Sequence, residues 1–352
     1  MVALAPSFAE PVSLSAPGAV RAWLWVVAAL VFAMVVVGGA TRLTESGLSI
    51  TEWKLVTGVV PPLGLDAWQA EFDKYKQIPQ FAKLFPDMTL AQFRGIYFWE
   101  WGHRLLGRVV GLVFALPLAW FWWRGRLTPR LKAQLLALLL LGGLQGAVGW
   151  WMVKSGLANR VEVSQYRLAL HLLLASLSFA ALAWVATGLR PSATASSLPW
   201  RCRAAGFCLL CLTLTQIGLG ALVAGLRAGL SYNTWPLMDG HFIPPLEDLT
   251  RQSPAWSNLF ENVTTVQFDH RMVAYALLAL ASWHAFDTAR RAPHSAAARR
   301  AMTAAGLVVL QATLGIATLL LAAPLHVALA HQAVAMLVLG MVAVHARRLA
   351  EM

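Results

Sequence analysis

Charge is what this 352-residue sequence has least of: Asp, Glu, Lys and Arg make up 12%, against 58% hydrophobic residues. With a mean hydropathy of +0.61, that scarcity excludes an ordinary soluble domain. Acids are scarcer than bases, 16 against 28. The net charge of +12 raises the question of a nucleic-acid partner, and the placement of the bases answers it in the negative. Cysteine is nearly absent. Cys202, Cys208 and Cys211 all fall at or inside one predicted span, where they read as small apolar helix residues and not as a disulfide framework or thiolate metal site. The first twenty residues hold Pro6, Pro11 and Pro17, one acid and no arginine. Lacking an apolar run, they read as part of a short cytoplasmic tail (1–22), not as a cleaved signal or an Arg-rich transit peptide.

What the sequence does have is apolar runs long enough to cross a bilayer as helices. Eight spans are expected, near 23–41, 98–123, 131–153, 165–187, 204–225, 265–286, 301–322 and 326–346. Arg124, Arg126, Arg130 and Lys132 crowd the second connection. Arg190, Arg201 and Arg203 populate the fourth, Arg290, Arg291, Arg299 and Arg300 the sixth, and Arg347 and Arg348 the tail. By the positive-inside rule these segments and both termini face the cytoplasm. Most acids, among them Glu45, Glu52, Glu71, Asp73, Glu162, Asp239 and Glu261, fall in the outward connections. The basicity is topological, and no nucleic acid is implied. In the first outer loop Trp68-Gln69-Ala70-Glu71-Phe72-Asp73-Lys74-Tyr75 has an amphipathic pattern that suits a membrane surface, a cap over a site or a plain connection.

The chain repeats itself. Gly47-Leu48-Ser49 and Trp53, followed by Pro61-Pro62, recur as Gly229-Leu230-Ser231 and Trp235, followed by Pro244-Pro245. Leu144-Gln145-Gly146 with Gly149 recurs as Leu310-Gln311-Ala312 with Gly315. Phe98-Trp99-Glu100-Trp101-Gly102-His103-Arg104 is echoed by Val266-Gln267-Phe268-Asp269-His270-Arg271. Each half has an even number of spans, so the halves share one orientation and are expected to be related by a pseudo-two-fold axis along the membrane normal. The expected fold is all-α: two four-helix bundles, residues 23–190 and 191–352.

Four histidines mark the same depth: His103, His171, His270 and His331, each about five residues and so roughly 7–8 Å inside the outer end of an even-numbered span. His103 can oppose His171, and His270 can oppose His331. Two imidazoles facing across a bundle core can hold haem iron from both axial sides. Four residues on, and thus on the same face, stand Gly107, Ala175, Ala274 and Ala335, which leave room for a flat macrocycle. A lone intramembrane histidine is more often a packing or proton-relay residue; four in paired, repeated places favour ligation. His241 and His326, near outer connections, and His284, His294 and His345, at the cytoplasmic side, read as interfacial residues. Arg104 and Arg271 suit either snorkelling to headgroups or pairing with propionates. Glu100 shares a face with His103 and corresponds to Gln267. It is either an acid–base group beside a ligand or a cap on the helix start.

These motifs together resemble the haem A synthase family over nearly the whole chain. Some members carry a cysteine pair in the first half's outer loop; this sequence lacks it and resembles the branch without it. The resemblance implies a membrane oxidoreductase that converts the methyl group of haem O to the formyl group of haem A by successive hydroxylations. It implies a substrate haem between His103 and His171 with Glu100 beside it, and a haem b cofactor between His270 and His331. It further implies a role in cytochrome oxidase assembly, a haem O supply, as from haem O synthase, and an electron donor; the expected location is a bacterial inner membrane in preference to a mitochondrial one. Neither that donor nor an oligomeric state is legible. A non-enzymatic di-haem b electron carrier and a haem carrier are the rival readings; the Glu100/Gln267 asymmetry speaks for the enzyme.

Overall fold

The computed structural model describes residues 16–54, 56–158, 160–190 and 198–352. Twelve α-helices are present among them: α1 (Ala16–Leu43), α2 (Leu65–Tyr75), α3 (Pro79–Leu84), α4 (Leu90–Trp123), α5 (Pro129–Ala158), α6 (Gln165–Gly188), α7 (Trp200–Gly225), α8 (Leu246–Leu249), α9 (Asn258–Glu261), α10 (Val263–Arg291), α11 (Ala296–Leu320) and α12 (Leu325–Ala350). Apart from an isolated bridge between Met238 and His241, the described residues form no strand. Of the tail expected over 1–22, residues 1–15 lie outside the described residues. The rest belongs to α1, so that helix starts several residues earlier than its apolar run suggested.

Seven helices are long and apolar enough to cross a membrane: α1, α4, α5, α6, α7, α11 and α12. The protein is a multi-pass membrane protein. The eighth expected span, α10, has the length, at 29 residues. It misses on apolarity, because Asp269, Arg271, Asp287, Arg290 and two histidines are threaded through it.

Helix ends follow local chemistry. Thr89 and Gln92 form a reciprocal capping box, so α4 begins at Leu90 and not near 98. The side chain of Asn262 accepts from Thr264 and Thr265 N–H at the start of α10, and that of Ser295 accepts from Ala298 N–H at the start of α11. Past the end of α4, Gly125 takes φ +65°. Gly125 N–H and Arg126 N–H then reach the carbonyls of Trp122 and Phe121, a left-handed stop that suits a residue without Cβ.

Helices α1 and α5 each pack against both α4 and α6, and α7 and α11 each lie between α10 and α12 in the same manner. The two sets join through α6 with α7, α6 with α12, and α1 with α12. Val20, Leu24, Val27, Phe114, Leu118, Leu135, Phe179, Ala183, Met336 and Leu339 form one buried cluster across that junction. At the C-terminal ends of α1 and α7, Arg42 and Arg227 each pair with both Glu45 and Glu162, tying the end of α7 to the first half. Burial pushes the Glu45 carboxyl above the ordinary carboxylate range, with both guanidinium groups pulling against it.

The amphipathic stretch around Trp68 is helix α2, and it packs against α4. Trp68, Phe72 and Tyr75 are buried. Their rings meet Tyr97 and Phe93 of α4, with Trp68–Tyr97 and Phe72–Phe93 centroids each 5.0 Å apart. Leu48, Ile50 and Ile78 complete this satellite core over the first half.

Candidate functional site

Each of the four histidines is seated against a glycine on a neighbouring helix. A Cβ on Gly149 would lie 2.8 Å from His171 Cε1, and one on Gly315 2.8 Å from His331 Cε1. On Gly220 it would lie 3.1 Å from His270 Cε1, and on Gly38 3.2 Å from His103 Nε2. Any side chain there would displace the ring. His103 on α4 and His171 on α6 thus lie against α1 and α5, the helices that both α4 and α6 contact. His270 on α10 and His331 on α12 repeat this against α7 and α11. His103 sits deeper in its helix than expected, 13 residues past the start of α4, because the capping box lengthens α4 outward.

The recurring Gln-Gly pattern in the sequence now has a cause. Four residues before each of three of those glycines, a glutamine amide reaches the same imidazole. Gln145 Nε2 lies 3.4 Å from His171 Nε2, Gln216 Nε2 3.1 Å from His270 Nδ1, and Gln311 Nε2 3.4 Å from His331 Nε2. Gln145 and Gln216 also donate to the backbone carbonyls of His171 and His270, each at 3.0 Å. The Oε1 atoms of all three glutamines, with Nδ1 of His171 and His331, are buried and have no partner. Gln145 and Gln311 stood out in the sequence only as landmarks of the repeat. Gln216 carried no separate signal there, and its role emerges from packing.

Glu100 is buried, at 2% exposure, and both its carboxylate oxygens are occupied. Oε1 accepts from Arg104 Nε at 3.0 Å and Nη2 at 2.6 Å. Oε2 accepts from Ser49 Oγ at 2.8 Å and Ile50 N–H at 2.7 Å. It stands ten residues inside α4, so it is not a cap on the helix start. Arg104 also donates to the carbonyls of Ile50 and Glu52, each at 2.8 Å, and lies over the Trp53 ring.

In the second half Arg271 Nη2 donates to Tyr232 O at 2.9 Å, the carbonyl that follows Ser231 as Ile50 follows Ser49. The repeated Gly-Leu-Ser turn is therefore the segment each arginine clamps. Gln267 donates to Tyr232 O as well, at 3.3 Å. Its Oε1 and the Arg271 Nε are left buried without partners.

Two other histidines depart from the interfacial reading. His284 and His345 are 1% and 0% exposed and hydrogen-bond each other, Nε2 to Nε2, at 2.8 Å. Each lies fourteen residues beyond a member of the outer pair, His270 or His331, on the same helix, about 21 Å along the axis at 1.5 Å per residue. That shared spacing was the available signal. Their neighbours four residues on are Thr288 and Leu349, in place of the alanines beside His270 and His331.

The outer pairs fit a haem. Glycine seats the rings, small residues stand one turn on, and buried donors and acceptors lack partners. An amide beside a ligating imidazole is the kind of group that fixes its tautomer.

Heme A synthase of Beijerinckia indica subsp. indica is 57% identical over 354 residues, covering 99% of this chain and 97% of that protein. Heme A synthase of a Methylobacterium species is 60% identical over 330 residues, covering 94% and 91%. That of a Chelativorans species is 57% identical over 328 residues, covering 93% and 90%. Residues 21–343 match the COX15-CtaA family, described as cytochrome oxidase assembly protein. With a family match over most of its length and relatives of this identity, the chain belongs to the COX15-CtaA family.

Proposed function

We propose that this protein is a haem A synthase, oxidising the methyl group of haem O to the formyl group of haem A within the membrane. The observation that carries the reading is the fourfold seating of histidine on glycine in a chain of this family. Two ligand pairs serve two haems. His103 and His171 flank the substrate haem O and the haem A product; His270 and His331 hold a haem b cofactor. Bound iron supplies the oxidising power that attack on an unactivated C–H requires and that side chains lack.

The chain's own groups bind, orient and handle protons. Glu100 is the acid–base group of the first half. To take up a proton its carboxylate must release one of its donors. The Ser49 hydroxyl, which both donates and accepts, is the one suited to pass a proton on. Arg104 and Arg271 fix the outer turns over the two sites, and the unpartnered Arg271 Nε suits a propionate. In the second half Gln267 offers an amide, with no titratable proton.

The membrane arrangement belongs to the same reading. With α10 as the eighth span, residues 23–190 and 191–352 form two four-helix bundles related by a pseudo-two-fold axis. The packing of α1 and α5 on α4 and α6, repeated by α7 and α11 on α10 and α12, supports it. Arg124 and Arg126 after α4, with Arg290 and Arg291 ending α10, support both termini being cytoplasmic, and bacterial relatives support an inner bacterial membrane. Besides haem O, handed over by its synthase, the reaction takes oxygen atoms and an oxidant of the dioxygen class from outside the chain, with an electron donor to reduce what that oxidant leaves over.

Pigment extraction from the purified protein tests the reading, together with visible spectra of His103→Ala, His171→Ala, His270→Ala and His331→Ala. Haem O or haem A is expected in wild type. The first two variants should lose that pigment and the last two haem b. Haem b alone at both sites supports a di-haem electron carrier and overturns the enzyme. Unchanged haem in all four variants overturns the ligand assignment.

A further inference from the structure

The two halves repeat their histidines but not the walls beside them. With His103 set on His270 and Gly149 on Gly315, Gly111 of α4 falls at Leu278 of α10. Gly142 and Gly146 of α5 then fall at Val308 and Ala312 of α11. In the second half Val308 is buried, at 3% exposure, and Leu278 packs on the cluster that holds Val308, Ala304 and Leu277. Helices α10 and α11 lie closely together, whereas α4 and α5 touch at few places. Gly111, Gly142 and Gly146 are exposed, and a Cβ on any of them would meet nothing within 4 Å.

Two glycines four apart commonly bring membrane helices close together, but no neighbour approaches these. They leave a gap that leads away from the histidines. Gly142, Gly146 and Gly149 follow at spacings of four and three and so share a face, with Gly149 against His171. On α4, Gly111 stands one turn beyond Gly107 and two beyond His103. The gap thus begins at the first histidine pair and runs about 10–12 Å along both helices. Phe114, which is buried, and Leu138, packed on the same core, lie at its far end.

Haem O differs from haem b by a long isoprenoid chain in place of a vinyl group at the ring's edge. A site for haem O must house that chain; a site for haem b has none to house. We propose that the gap between α4 and α5 is the subsite for the isoprenoid chain of haem O, with Gly111 and Gly142 as its specificity-determining residues. Leu278 and Val308 fill the matching place in the second half and keep that site for haem b. This rests on the reading that His103 and His171 take haem O while His270 and His331 take haem b. The selection is steric. An apolar chain gains little by leaving lipid for apolar protein, so discrimination comes from side chains that deny it room.

The test is haem binding by the purified full-length protein in detergent, with haem O and haem b supplied separately. Soret titration and pigment extraction are the readouts. Gly111→Leu and Gly142→Val carry the second half's residues into the first, and both side chains enter open space. Either should weaken haem O binding at least about tenfold, and the double variant more, with haem b still bound by His103 and His171 as in wild type. Leu278→Ala, alone or with Val308→Ala, should admit haem O to the second site.

Wild-type haem O affinity in the double glycine variant overturns the proposal. Equal loss of haem O and haem b overturns it too, since that would be general damage to the site. So does a change of oligomeric state on size exclusion with haem preference unaltered, which would make the gap a seat for a second copy of the chain. His103→Ala separates the two levels. If haem O binding survives it and is lost in His270→Ala, the substrate-haem reading itself has failed. If haem O binding needs His103 while the glycine variants behave as wild type, only this inference has.

Discussion

Arg104 places two donors on a single carboxylate oxygen of Glu100, Nε at 3.0 Å and Nη2 at 2.6 Å, one helical turn apart on α4. The other oxygen is held by the Ser49-Ile50 turn. One buried ion pair thus fastens the outer loop of the first half beside His103. The second half keeps the arginine and the turn but has Gln267 in place of the acid.

Glu100→Gln should separate chemistry from architecture. An amide has one acceptor oxygen for these four donors and sets its NH2 against either Arg104 or the Ile50 N–H. Removing one partner of a buried pair costs about 3–5 kcal/mol, and the remaining contacts of Arg104 to Ile50 and Glu52 hold the loss below that range. The protein should insert and keep both haems while melting at a lower temperature. Conversion of haem O should fall about 10²–10⁴-fold through lost acid–base help, with the alcohol accumulating. Gln267→Glu should leave conversion near normal. Haem O, alcohol and haem A contents of membranes carrying each variant decide it. Near-normal haem A from Glu100→Gln would reduce Glu100 to a loop clamp.

Gly149→Ala and Gly315→Ala test the seating of the rings. In each a Cβ would come 2.8 Å from a histidine Cε1, well inside van der Waals contact, so the imidazole must move. Overpacking of this kind costs about 1–3 kcal/mol. Each variant should lower haem content at its own site, read as Soret absorbance per protein. The same change at Gly143, where a Cβ meets nothing within 4 Å, should be silent. Equal losses from all three would remove the special role of the first two.

His284 and His345 share one hydrogen bond and are both buried. Replacing either by leucine strands the other imidazole, at about 1–3 kcal/mol. Replacing both with apolar residues should recover much of that loss. A double-mutant cycle on thermal melting should show this coupling, with haem content unchanged throughout. Loss of haem from either single variant would mean that the inner pair contributes to binding.

The membrane arrangement predicts the behaviour of reporters. A reporter active only outside the cytoplasm should be silent when fused after Met352 and active when inserted near Asp73, on the exposed side of α2. The reverse pattern would invert the molecule and move both haem sites to the cytoplasmic side.

Much of this was written in the order of residues. Apolar runs bounded by arginines marked where the long helices lie, because burying a charge in lipid is costly whatever its neighbours. The repeat landmarks and the four histidines stood out because similar residues recur in the same order in both halves. The start of α4 was missed by eight residues, since a capping box lies in polar sequence that hydropathy does not register. The tertiary structure alone decided which side chains meet. That Glu100 grips its own helix neighbour and a turn fifty residues away, that His284 and His345 are partners, and that Gln216 touches His270, all depend on which helix faces pack together. Periodicity in one helix gives a face its composition. Only the packed partner determines what that face touches.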